Sequence, residues 1–245
     1  QSKNIGAEPA AWSQPRFSFD DQKLLLRKIE SPHCQLWVRD FVRGTSTRIT
    51  FEKDAHDPLW HSNTTEVLFA GNLAAGRSVF RSPADGSAAP TLMFDSEVSL
   101  HPSSWSADGR RLALAVSDVE NGGDIWVLDL DIGNEPAPFL TSRFGERQPG
   151  FSPDGRWIVF TSDESGRSEI FVRPDPASSG RTQISTDGGV EPLWSPTGTE
   201  IFYRADGKLM AVEISVSDGR IRAGIPTALF DDPYERSSPA NPDQI

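Results

Sequence analysis

Apolar and polar positions along the chain fall into one pattern that recurs. An aromatic residue leads into a serine and a tight turn, and an apolar run follows. It appears as "FSFDDQKLLLRKI" from Phe17, "WHSNTTEVLFAG" from Trp60 and "WSADGRRLALAV" from Trp105. It returns as "FSPDGRWIVFTS" from Phe151 and "WSPTGTEIFYRA" from Trp194, so the aromatics stand 43 to 46 residues apart. Each copy continues with a second apolar run ("CQLWVRDF", "RSVFRSPADG", "GDIWVLDLD", "SEIFVRPD", "KLMAVEIS") and a third ("TRITF", "PTLMFD", "APFLTS", "TQIST", "PTALF"). With the short stretch that enters the aromatic, this predicts four strands per unit of about 45 residues. No long segment holds a 3.6-residue period, and Asp-Gly, Pro and Asn punctuate the runs.

Runs such as "LALAV" and "WIVF" are apolar on both faces, as a sheet sandwiched between two neighbouring sheets requires. Four-stranded units of this length arranged radially are the signature of a β-propeller. The expectation is an all-β, single propeller domain over 1–245, with blades at about 14–54, 55–98, 99–144, 145–188 and 189–230. Five blades are visible, as a five-bladed ring or as part of a six-bladed or larger one. The repeated aromatics are expected to pack blade against blade rather than to stack on a ligand. Residues 1–12 precede the first unit, and 231–245 ("DDPYERSSPANPDQI") form a connector or tail.

Composition narrows the function classes. A net charge of −11 disfavours a basic groove for nucleic acid. A single cysteine, Cys34, excludes an intrachain disulfide. No apolar run approaches the length of a membrane helix. The chain begins at Gln1 with no signal-like stretch, which reads as a processed chain or an excised fragment.

Catalytic motifs are scarce. Gly-x-Ser-x-Gly does not occur, nor does His-Glu-x-x-His or a paired-cysteine motif. "DLDIGNEPAPFL" lacks the sixth-position glycine and closing glutamate of a calcium loop. Asp108-Gly109 and Asp154-Gly155 are turn residues by backbone preference.

One constellation stands out. In each repeat a polar residue precedes a proline and enters the first strand: Gln14, Asp57, His101, Gln148 and Glu191. In a propeller that strand lines the central channel, so these five would ring the channel mouth and suit a ligand's polar groups, water or a cation. His56, Asp57 and His101 are the metal candidates. No cofactor is expected beyond such a channel cation. Loops on the same face carry 117–123, Arg147, Asp163, Glu164 and 187–189, a mixed-charge, Gly- and Ser-rich surface suited to a protein partner or small ligand.

The stretch "QPGFSPDGRWIVFTSDESGRSEIFVR" carries a resemblance to the TolB-like, WD-repeat-like propeller family of bacteria, over about residues 14–230. "LWVRDFVRGTSTRITF", "GRSEIFVRPDP" and "QISTDGGVEPLWSPTGTEIFY" most resemble propellers attached to bacterial serine/threonine kinases. That resemblance implies a non-enzymatic sensory or scaffolding domain of a larger membrane-anchored protein, periplasmic or otherwise extracytoplasmic. Two other readings stay open: a gating propeller of a peptidase or other hydrolase, and a channel-metal lyase. An incomplete ring would leave a sheet edge able to pair with another chain.

Overall fold

The computed structural model describes residues 11–30, 33–51, 54–73, 76–117, 122–176 and 180–232. The readings placed on the first ten residues, on 118–121 of the 117–123 loop and on the tail from 233 lie outside them. Every regular element among the described residues is a β-strand, and the strands form five antiparallel sheets. The chain divides into two compact units, one up to Glu97 and one from Val98.

The first unit holds two sheets in simple meander order. One is β1 (Trp12–Phe17), β2 (Lys23–Lys28), β3 (Gln35–Asp40) and β4 (Thr45–Arg48). The next is β5 (Ala55–Trp60), β6 (Glu66–Leu73), β7 (Gly76–Pro83) and β8 (Thr91–Phe94).

The second unit holds three. They are β9 (Ser99–Trp105), β10 (Arg111–Ser117), β11 (Asp124–Asp129) and β12 (Ala137–Leu140), then β13 (Glu146–Phe151), β14 (Trp157–Ser162), β15 (Glu169–Pro174) and β16 (Thr182–Gln183). The last is β17 (Val190–Trp194), β18 (Glu200–Ala205), β19 (Lys208–Ser217), β20 (Arg220–Ala223) and β21 (Thr227–Asp231). Here the sheet has five strands rather than the expected four, because β20 and β21 both pair with β19.

The runs that do not alternate in polarity are buried on both faces. Along β14, Ile158 and Phe160 face the preceding sheet, where they join Ala113, Phe151, Ile125 and Phe171. Trp157 and Val159 face the following one, with Trp194, Ile201, Tyr203 and Val212. In the first unit, Leu25, Leu36, Val38 and Ile49 meet Trp60, Val67, Phe69 and Phe80 in the same way. The cores therefore lie between sheets, and the fourth sheet is packed on both of its faces.

The repeated aromatic is a wedge in these cores. Trp60 is 2% exposed, and its Nε1–H donates to the Arg16 carbonyl of the preceding sheet at 2.8 Å. Trp194 does the same to the Gly150 carbonyl at 3.3 Å. Phe17, whose sheet has no predecessor in its unit, is 61% exposed. The serine after the aromatic closes the hairpin. Ser152 Oγ accepts the Trp157 backbone N–H and donates to Asp154, and Gly155 sits at φ +68°. That left-handed conformation is why glycine follows aspartate there.

Candidate functional site

The polar–proline pairs share an unusual backbone. Gln14, Asp57, Gln148 and Glu191 have φ of 50°, 50°, 57° and 55°. L-residues reach this left-handed region at a cost of roughly 1–2 kcal/mol. At each of the four, the proline that follows has no N–H to give the ladder, and the strand skips a rung at the pair. Gln14-Pro15 together oppose Leu26 in β2, and Gln148-Pro149 oppose Phe160 in β14, each pair making a β-bulge. Asp57-Pro58 and Glu191-Pro192 are placed likewise.

His101 departs from this set. "HPSSW" has one residue more between proline and aromatic than "QPRF", "DPLW", "QPGF" or "EPLW". The skip moves to Ser103, and Pro102 pairs with Leu114. His101 does not take the left-handed conformation. It is 2% exposed, and its Nε2 lies 2.9 Å from Ser117 Oγ on the adjacent strand.

Within each unit these side chains reach from one sheet to the next. Gln14 Nε2–H donates to Asp57 Oδ1 at 3.0 Å, and Gln14 Oε1 accepts the Asp57 backbone N–H at 3.1 Å. Gln148 Oε1 accepts the Glu191 backbone N–H at 2.8 Å and the Thr161 hydroxyl at 3.0 Å. Glu191 pairs with Arg204 at 3.2 Å, and Arg204 in turn holds Asp232 at 2.7 Å. The amides of Gln14 and Gln148 thus hold the following sheet's left-handed residue. His56 neighbours Asp57 on β5 and is half-buried. No group of three His, Cys, Asp or Glu among the described residues is placed to hold a metal ion.

A second cluster forms where the third and fourth sheets meet, at the end where their first strands begin. Arg147 Nε donates to the Gly122 carbonyl at 2.9 Å, and the Glu146 backbone N–H to the Gly123 carbonyl at 2.9 Å. The Gly145 N–H donates to Asp163 Oδ1 at 2.9 Å. Glu164 pairs with Arg181, whose guanidinium lies over Phe171. Next to them Glu169, 1% exposed, accepts from Arg167, Ser185 and the Gly188 backbone, and Arg167 also reaches Asp187. Four loops are thereby tied together by side chains. Arg147, Asp163 and Glu164 belong to this network.

Glu146 lies at its centre, although nothing in the sequence reading singled it out. It is fully buried; Oε1 accepts from Ser142 at 2.6 Å, and Oε2 has no partner among the described residues. Burial pushes its carboxyl above the usual range, Asp124 and Asp163 add to the rise, and Ser142 and Arg181 oppose it. The corresponding positions in the other copies hold Trp12, Ala55, Ser99 and Gly189. A charge where every other copy is uncharged was the available signal.

Meander sheets with wedge aromatics and bulged polar–proline strands define a β-propeller. A match to the TolB beta propeller domain family covers residues 97–233, and the chain belongs to that family. The protein is 36% identical over 101 residues to the uncharacterized protein Atu1656 of Agrobacterium fabrum, covering 40% of this chain and 33% of that one. It is 28% identical over 129 residues to the uncharacterized peptidase YuxL of Bacillus subtilis, covering 50% of this chain and 18% of that one. The chain thus spans a third or less of either relative. Among solved structures, a TolB from Agrobacterium tumefaciens superposes with TM-score 0.76 at 20% identity, covering 93% of this chain and 83% of that one. TolB from Acinetobacter baumannii gives 0.68 at 17%, covering 95% and 58%. Both likenesses are of fold.

Proposed function

We propose that this chain is a non-enzymatic, extracytoplasmic binding module that recognises a protein partner through the loop corner between its third and fourth sheets. The observation that carries this reading is the mutual locking of four loops by Arg147, Asp163 and Glu169. Side chains tied to neighbouring backbones present a preorganised surface, and preorganisation lowers the ordering cost of association. The surface offers charged groups of both signs, which favours a partner of mixed charge. Family membership supports a binding or scaffolding role, and the polar–proline residues support a scaffold in which consecutive sheets are held in fixed relation.

A photo-crosslinking side chain tests this in the native cell envelope. Placed at Asp187, whose side chain is almost fully exposed beside the corner, it is expected to capture a discrete protein. Placed at Ile132, 87% exposed at the other end of the strands, it is expected to capture none. Arg147→Glu should abolish the first adduct. Equal capture at both positions would overturn the reading.

The likeness to YuxL favours a second reading, an accessory propeller of a peptidase. That reading expects the native polypeptide to carry a hydrolase domain and to cleave peptides, with the loop corner facing that domain.

A further inference from the structure

The wedge aromatics set one sheet apart. Trp60, Trp105, Phe151 and Trp194 are 2%, 6%, 6% and 7% exposed, whereas Phe17 of the first sheet is 61% exposed. Phe17 stands opposite Leu24 and Leu24 opposite Arg39, while Trp12 stands opposite Lys28 and Leu26 opposite Trp37. Residues paired in this way share one face of a sheet. It is the face turned away from Leu25, Leu36 and Val38, which lie in the core with the second sheet. Its centre is apolar and aromatic, and its charges are positive. Lys28 lies over both indole rings. Among the described residues Arg39 and Arg48 bond neutral groups, Ser46 and the carbonyls of Thr50 and Phe51.

The fifth sheet leaves a face of the opposite kind. Ile201, Tyr203, Val212 and Ile214 lie in the core with the fourth sheet. The alternate positions point the other way. There Leu193 stands opposite Phe202, Leu209 opposite Phe230, and Glu200 opposite Glu213. Leu193 and Phe230 are 67% and 55% exposed. Arg204, on the same face, is held by Glu191 and Asp232, and Arg222 stands opposite Ser215 at the far end. Acids outnumber cations across this face, and two of them are set side by side.

Within each unit, consecutive sheets meet in one way. The wedge of the later sheet enters against the earlier one, as Trp60, Phe151 and Trp194 do. The fifth sheet offers the earlier half of that contact, and the first sheet offers the later half. We infer that the occupant of the fifth sheet's open face is a second copy of this chain, docked through its first sheet. Trp194 enters beside Val159 of the fourth sheet. Phe202 takes the place of Val159 in the fifth sheet's register, so Phe17 of the second copy enters beside Phe202. Its Lys28 and Arg39 meet the Glu200–Glu213 pair. Opposite charges around an apolar centre select this pairing, because two like faces would set acid against acid or cation against cation. The contact is heterologous, so it propagates into chains of copies or closes as a ring. It does not depend on the loop corner or on that corner's partner.

Sedimentation velocity over a series of protein concentrations tests this. The wild type is expected to form species larger than a monomer, with a mass that grows with concentration. Phe17→Asp spoils the first sheet's face and Glu213→Arg the fifth sheet's, and both side chains are exposed, so the cores stay intact. Each variant alone is expected to associate about tenfold more weakly or worse. Their equimolar mixture is expected to recover dimers and nothing larger, because it retains one sound face of each kind. Loss of association in Glu213→Arg supports the contact even if Phe17→Asp fails to fold. A wild type that stays monomeric at every concentration, a Glu213→Arg variant that associates like the wild type, or a mixture of two folded variants that stays monomeric would each overturn it.

Discussion

Gln14 and Asp57 lie 43 residues apart in sequence, yet the glutamine amide makes two hydrogen bonds to the aspartate, one to its carboxylate and one to its backbone N–H. Both side chains are buried, at 7% and 6% exposure. Gln14→Ala removes both bonds and is expected to destabilise the first unit by about 1–3 kcal/mol. Gln14→Glu keeps an acceptor for the N–H but sets a second carboxylate beside Asp57. It is therefore expected to be worse than alanine at neutral pH and to recover in acid. Urea denaturation at two pH values measures both.

Glu146 makes a pH prediction of the same sign, from a native carboxylate. Its folded pKa is raised, so between the ordinary carboxylate range and that higher value the folded state holds a proton the unfolded chain has lost. Stability from this group is therefore highest in acid and falls as pH rises through that window. Glu146→Gln mimics the protonated form. The variant is expected to exceed the wild type in thermal midpoint near neutral pH and to match it below the ordinary carboxylate range. A constant difference across pH would contradict the assignment.

Much of this architecture was legible because each copy of the repeat checks the others. Phe151, Asp154-Gly155 and "WIVF" read as wedge, turn and doubly buried strand, and the structure uses them so. The polar–proline positions were visible as a series, but their left-handed backbone was not. It arises from which rung the partner strand offers, and register is a tertiary property. His101 shows the limit well, since one inserted serine moved the bulge off its proline. β20 escaped because "GRIRAG" is too short and polar to register as a strand until β19 supports it. Glu146 escaped because a buried carboxylate looks like any surface glutamate until its surroundings are known.

Tyr203 is 3% exposed, and burial, with Glu169 and Asp187 nearby, pushes its phenol up to about 12. The folded state keeps this proton after the unfolded chain has lost it, so stability is expected to fall as pH climbs above the ordinary phenol range. Absorbance titration of tyrosinate should show a component near that value in the wild type and none in Tyr203→Phe. The variant should also unfold less steeply with rising alkalinity.

Two glycines of the second unit separate conformational from steric need. Gly155 sits at φ +68°, and a Cβ there would meet only Arg111 Nη2, at 3.4 Å. Its requirement is the left-handed backbone, which asparagine tolerates. Gly189 has no such φ, but a Cβ would lie 2.7 Å from Ile170 Cγ1 and 2.8 Å from Ser185 Oγ. Its requirement is space in a packed core, where overpacking costs about 1–3 kcal/mol. Alanine is expected to destabilise at both sites. Asparagine is expected to recover most of the loss at 155 and to deepen it at 189. The comparison needs four variants and one denaturation series, and equal penalties for asparagine at the two positions would refute the distinction.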